Sequence, residues 1–306
     1  MNHRKKYALR TAAAALLLVL CTVFCQAAPA LTAQQDGETA VAAVNESVTG
    51  ETVPAEESAG IKKIVNQWLP YIVAGIANGG QYALIAIGYT MVYGILRLIN
   101  FAHGDIFMCA GLMMVYFSAS LNIFISIPLV LILTVLLGFL VERLAYKPLR
   151  DAPRMSVMIS AIGVSYLLQN LAFYITSGLA KQYPVLPFLS NSVSLGSVQV
   201  KMVTIITPIL TVILILVLQL LIKKTKIGMA MRAVSFDFET SRLMGVKINS
   251  VISMTFIIGS FLAAVGSILF FSAYTTVTPT VGAMPGLKAF VAAVFGGIGS
   301  VPGAVI

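Results

Sequence analysis

The sequence predicts an all-α, polytopic transmembrane helical bundle, and three observations predict it. The chain of 306 residues is 58% hydrophobic and only 10% charged, where an ordinary soluble domain carries about 25% charged residues. Several apolar runs reach the roughly 20 residues that a helix needs to cross a bilayer core. The basic residues gather in short segments between those runs. Lipid offers backbone groups no partner, so each must be paired within the chain, and a helix does this locally. The alternating ten-residue segments of a membrane barrel do not occur in the sequence. The net charge of +9 is therefore the positive-inside pattern of a membrane protein, and no nucleic-acid partner is expected.

The elements follow in order. Residues 1–33 set a basic start (Arg4, Lys5, Lys6, Arg10) before an apolar run and then small residues. This is the layout of a secretory signal peptide; an uncleaved anchor helix is the alternative. Residues 34–60 hold six of the eleven acids (Asp36, Glu38, Glu46, Glu51, Glu56, Glu57) and little to bury. They read as a disordered extracytoplasmic linker. Residues 61–306 form the membrane domain, with spans expected near 69–93, 101–119, 123–141, 155–176, 202–222 and 250–273. A further Gly-rich apolar stretch begins near 287 and reaches Ile306 without a basic flank. A continuation is expected, giving about 7–8 spans in a complete membrane domain.

Charge orients these spans. Segment 142–154 carries Arg143, Lys147, Arg150 and Arg154; segment 223–249 carries Lys223, Lys224, Lys226, Arg232, Arg242 and Lys247. Both are expected on the cytoplasmic side. Two spans separate them, so the parity agrees. Lys62 and Lys63 run mildly against the rule.

Catalytic signatures are scarce. The chain has no GxxxxGK[ST] phosphate cradle, HExxH, CxxC pair or GxSxG. Its two histidines are too few for a His-rich metal site, and the three cysteines (Cys21, Cys25, Cys109) fit no zinc spacing. The chain is not expected to be an enzyme. What stands out is LRLINFAHGDIFMCAG, residues 96–111, which places Asn100, His103 and Asp105 at the head of an apolar run near the cytoplasmic interface. Helical spacing puts Asn100 and His103 on one face and Asp105 well away. Two readings stay open. Asn100 caps the helix and the other two satisfy neighbouring groups, or the three shape a gate.

The stretches GIANGGQYALIAIGYTMVYG (75–94) and GLKAFVAAVFGGIGSVPGA (286–304) are rich in Gly and Ala. Close helix packing is one reading. An interrupted helix whose freed N–H groups meet a carboxylate is the other. It would make Gly79, Gly80, Gln81, Gly296 and Gly297 candidates for the path. Residues 223–249 are too long for a simple connector. Ala230, Ala233, Val234, Phe238 and Leu243 suit an apolar strip on one short helix ended by Met244-Gly245, a shape that docks into a partner's groove.

YALIAIGYTMVYGILRLINFAHGDIFMCAG, VERLAYKPLR, ISAIGVSYLLQN, GMAMRAVSFDFETSRLMGVKIN and GLKAFVAAVFGGIGSVPGAVI together resemble the branched-chain amino acid ABC transporter permeases of the LivH type. The resemblance runs from about residue 69 to 306. It implies an importer of Leu, Ile and Val in a bacterial cytoplasmic (inner or plasma) membrane. It also implies a homologous LivM-type permease, two ABC ATPase subunits and an extracytoplasmic substrate-binding protein as partners. No cofactor would be bound by this chain, ATP and Mg being held by the ATPases. Segment 230–246 resembles the coupling helix of such permeases, with Arg232, Ala233, Phe236, Glu239 and Gly245 at the interface. It lacks the EAA spelling common in ABC importers. The leader and acidic linker are additions to the family pattern. Same-family transport of urea or another small polar solute is the alternative substrate. A secondary transporter or channel would need coupling-ion residues within the spans, where Asp105 is the one carboxylate expected.

Overall fold

The computed structural model describes residues 57–150, 152–186, 189, 191–195, 198–297, 299 and 303–304. The expected leader lies outside the described residues, as does the expected linker except for residues 57–60. The chain divides into two compact units, Met1–Ile72 and Val73–Ile306. Of the first, residues 57–72 are helical and open α1, Glu57–Leu96. Arg97, in the left-handed region at φ 52°, ends α1.

In the second unit the predicted helices form where the apolar runs lie. They are α2 (His103–Ser120), α3 (Ile123–Val141), α4 (Arg154–Thr176), α5 (Met202–Lys224) and α8 (Ile248–Ala273). Among the described residues, five helical segments are long and apolar enough to cross a membrane: Tyr71–Leu96, Ile123–Leu149, Met155–Thr176, Met202–Lys224 and Ile248–Ala273. α2 occupies the remaining expected place and is less apolar. Of its 18 residues, 14 are buried, so it meets helices on most sides and needs no lipid-facing stripe. α8 packs against α2 and α3, and the core runs through Leu84, Ile87, Val141, Val234, Ile252 and Phe256.

α3 does not stop at its expected end. It continues through a π-helical turn, Glu142–Tyr146, and a 3₁₀ turn, Lys147–Leu149. Segment 225–247 forms two helices rather than the one expected, α6 (Lys226–Phe236) and α7 (Phe238–Leu243). Asp237 breaks them. It is extended, and its carboxylate accepts from the Glu239 amide at 2.9 Å and from the Thr240 hydroxyl, a helix start. The expected apolar strip is corrected accordingly. Gly228, Met231 and Val234 face the bundle, while Ala233 and Leu243 are exposed.

The opposite end of the bundle carries short strands. β1 (Lys181–Gln182) pairs antiparallel with β4 (Thr276–Val277), and β2 (Ser192–Leu195) with β3 (Val198–Lys201). After β4 the chain turns back into the bundle. Gly282 packs on Gly104, the second residue of α2, so closely that a Cβ on Gly104 would stand 2.6 Å from the Gly282 carbonyl oxygen. There the apolar α9 begins, Ala283–Phe295. It is a helix of 13 residues, starting inside the bundle.

Candidate functional site

Three places gather the residues singled out by the sequence. The first is the head of α2. Asn100, His103 and Asp105 are each 2% exposed: neighbouring helices close over them. Asn100 caps no helix. The N-cap position of α2 is Ala102, and the Asn100 Oδ1 accepts from the Tyr146 hydroxyl at 2.7 Å. The His103 imidazole lies on Gly88 of α1, where any Cβ would collide with its Nε2, and beside Gly259 of α8. The Tyr89 ring stands edge-on at 4.9 Å. Asp105 Oδ1 accepts from Gln169 Nε2 of α4 at 2.9 Å. The three residues therefore address different elements, Asn100 the turn after α3, His103 both α1 and α8, and Asp105 α4, and form no shared centre; they fasten the start of α2 to its neighbours.

Beside them lies a carboxylate that the sequence reading placed past the end of a span. Glu142 is fully buried at the π turn of α3. It pairs with Arg150 and accepts from the Ser253 hydroxyl at 2.8 Å, while Arg150 also donates to Asn249. Asp105 is thus not the sole carboxylate among the packed helices. The Glu and Arg of VERLAYKPLR, eight residues apart, are the trace of this pair in the sequence.

The second place is α6 and α7 at the basic end. Phe236 is 84% exposed, Leu243 86% and Met244 81%. Arg232, Ala233, Glu239 and Gly245 are exposed too. Gly245, at φ +82°, makes the left-handed turn that ends α7. The pair is seated on the bundle by Met231 and Val234 and by Arg97, which donates to the Ser235 carbonyl at 3.4 Å. A cleft of about 730 Å³ opens on one side, lined by Tyr146, Arg150, Phe238, Arg242 and Asn249. Another of about 430 Å³ opens on the other, lined by Tyr93, Arg97, Met231, Arg232 and Phe236. The Thr240 hydroxyl and the Glu239 amide, with the Arg97 charge, hold the Asp237 carboxyl below its ordinary range.

The third place concerns the glycine stretches. Gly80 packs on Thr211 of α5, where a Cβ would stand 3.1 Å from the hydroxyl, and Gln81 is buried, donating to the Leu269 carbonyl at 3.5 Å. Gly79 is exposed, with open space around it. Gly296 and Gly297 do not join them. Gly296 follows the last turn of α9 against Gly303, and Gly297 turns the chain at φ +86°. Sequence reasoning passed over Lys288, a lysine inside the apolar α9; a charge in such a run is itself the sign that finds it.

Comparison with known proteins adds the following. The family described as "Branched-chain amino acid transport system / permease component" matches residues 71–306. The high-affinity branched-chain amino acid transport system permease protein BraD of Pseudomonas aeruginosa is 38% identical, over 79% of this chain and 83% of its own. The corresponding LivH proteins of Salmonella typhimurium and Escherichia coli are 38% and 37% identical, each over 78% of this chain and 82% of its own. No solved structure matches the chain with significance.

Proposed function

Since the chain belongs to the branched-chain amino acid transport permease family, and is a multi-pass membrane protein, we propose that it forms the substrate path of an ABC importer for Leu, Ile and Val. The observation that carries the reading, beyond the family itself, is the α6–α7 pair. Phe236, Leu243 and Met244 stand out at the basic end, and such exposed apolar anchors mark a surface that a partner covers. The partner is an ATPase subunit, and this end is cytoplasmic.

The importer comprises this chain, a homologous LivM-type permease, two ATPases and an extracytoplasmic substrate-binding protein, in the bacterial inner or plasma membrane. ATP and Mg are held by the ATPases. Their closure on ATP pulls α6 and α7. Met231 and Val234 carry that movement into the core, and Arg97 carries it to the end of α1. The bundle turns from inward- to outward-facing, and the binding protein releases its amino acid into the opened path. Arg232, Ala233, Phe236, Glu239 and Gly245 form the contact. Asn100, His103 and Asp105 hold the helices that move, and Gly79 borders the path. The leader, residues 1–33, exports the linker, residues 34–60.

The test is ATP-dependent uptake by the complete complex in proteoliposomes, with labelled leucine and labelled urea in parallel. Leucine uptake that is lost on disrupting Gly245 and the adjoining α7 is expected. Urea uptake alone would keep the machine and overturn the substrate. A well-folded complex without uptake and without a copurifying ATPase would overturn the importer.

A further inference from the structure

Lys288 is the one charged residue of α9. It is exposed, and its Nζ lies 5.7 Å from the centroid of the Tyr82 ring, within cation–π range. Tyr82 fixes its depth. It stands in the 26-residue span Tyr71–Leu96, about 17 Å from one end and about 21 Å from the other at 1.5 Å per residue. The Tyr82 ring also lies beside Phe270, one turn before α8 ends at Ala273, so the ammonium lies in the strand-side half of the bundle. Glu142 pairs with Arg150, and no carboxylate among the described residues is seen paired with Lys288. An ionisable residue inside an apolar helix is by default a candidate for the lining of a polar path.

Its surroundings are built and open. Gly75, Asn78, Gly79 and Tyr82 share one face of α1 by helical spacing. A Cβ on Gly75 or Gly79 would meet nothing within 4 Å. The Tyr274 hydroxyl donates to Asn78 Oδ1 at 3.2 Å. The Tyr274 ring lies on Phe270 at 4.7 Å, and Phe270 stands 6.5 Å from Tyr82. A cation, a wall of aromatic rings and an open helix face thus lie side by side.

We infer that this face is the substrate's passage through the membrane, with Lys288 taking the carboxylate of the amino acid and the Tyr82–Phe270–Tyr274 wall taking its branched side chain. The inference rests on the importer reading and goes beyond it by naming the contact. A neutral residue at 288 leaves the carboxylate without its charged partner. An arginine keeps the charge.

The experiment uses the complete transporter in proteoliposomes, with Cys21, Cys25 and Cys109 replaced by alanine. Lys288→Met is expected to raise the KM for leucine by about 10- to 100-fold, the scale of a hydrogen bond to a charged group. Lys288→Arg retains uptake, and ATPase copurification is the same in both. In Lys288→Cys, 2-aminoethyl methanethiosulfonate rebuilds a lysine-like cation and restores uptake, the neutral methyl reagent does not, and leucine slows the labelling. Wild-type uptake with an unchanged Lys288→Met overturns the inference. So does a Lys288→Cys that no aqueous reagent reaches, because the cation then faces lipid or the second permease. Wild-type failure to import leucine instead brings down the reading beneath it, and the labelling of Lys288→Cys still decides whether this face is wet.

Discussion

Removing Arg150 and removing Glu142 should not cost the same. Glu142 is fully buried, whereas the Arg150 side chain is 17% exposed. Without the carboxylate, the guanidinium can turn towards water. Without the guanidinium, the carboxylate keeps the Ser253 hydroxyl and no counter-charge. Stranding a buried charge costs about 3–5 kcal/mol. Arg150→Met is therefore expected to lower the thermal-unfolding midpoint of the purified protein more than Glu142→Gln, and the double variant less than the sum; equal shifts would contradict the asymmetry. Gly88 makes a second prediction. Its missing Cβ is the space that His103 fills, so Gly88→Ala overpacks the crossing by about 1–3 kcal/mol. His103→Ala in the same chain should return part of the lost midpoint. At this scale the sequence showed one side of each contact. Asn100 and Asp105 stood out as polar residues in an apolar run, but their partners Tyr146 and Gln169 lie 46 and 64 residues away, and nothing in local spacing reaches so far.

At the scale of elements, the proposed contact with an ATPase subunit rests on α6 and α7. Phe236→Asp or Leu243→Asp changes side chains that touch little of the bundle. Each is expected to leave the unfolding midpoint in place while weakening ATPase copurification by about 30-fold, the scale of a hot-spot residue. Intact copurification would move the docking surface elsewhere. α4 makes a separate prediction. Its span has mean hydropathy 1.4 and is no better buried than the spans of α3 and α5, whose values are 2.8 and 2.9. Its exposed residues include Tyr166 and Asn170, and Asn170 spends one N–H on the Tyr166 carbonyl at 2.7 Å. Such a face suits water or protein better than lipid. In the assembled transporter Asn170→Cys should react with a polar maleimide and Ile213→Cys, on the lipid-type face of α5, should not. The helices themselves were legible because each is a long apolar run. The break at Asp237 was not read, although an Asp ahead of Phe-Glu-Thr has the pattern of a helix start. The strand pairs were not legible, because β1 and β4 are two residues each and join segments almost a hundred residues apart.

For the whole molecule, the arrangement of charge and the arrangement of contacts lead to one orientation. The end of α1, the start of α2, the turns after α3, the start of α4, the α6–α7 pair and the start of α8 meet at one end, joined by Arg97 to Ser235 and by Arg150 to Asn249. Arg143, Lys147, Arg150, Lys223, Lys224, Arg232 and Arg242 lie there as well. The strands hold the other end, where Lys181 and Lys201 stand. Basic residues near helix ends stay on the cytoplasmic side, so Leu243→Cys, in a cysteine-free background, should resist an impermeant maleimide in intact cells and react once they are opened. Gln182→Cys, exposed in β1, should react in both. The reverse pattern would leave the lipid positions of the helices unchanged, yet it would carry α6 and α7 out of the cytoplasm. No ATP-hydrolysing partner could then reach Phe236 or Leu243, and the movement of α1 and α8 would need another source of energy. The orientation of the bundle therefore decides whether its exposed apolar pair can be the point at which ATP hydrolysis enters transport.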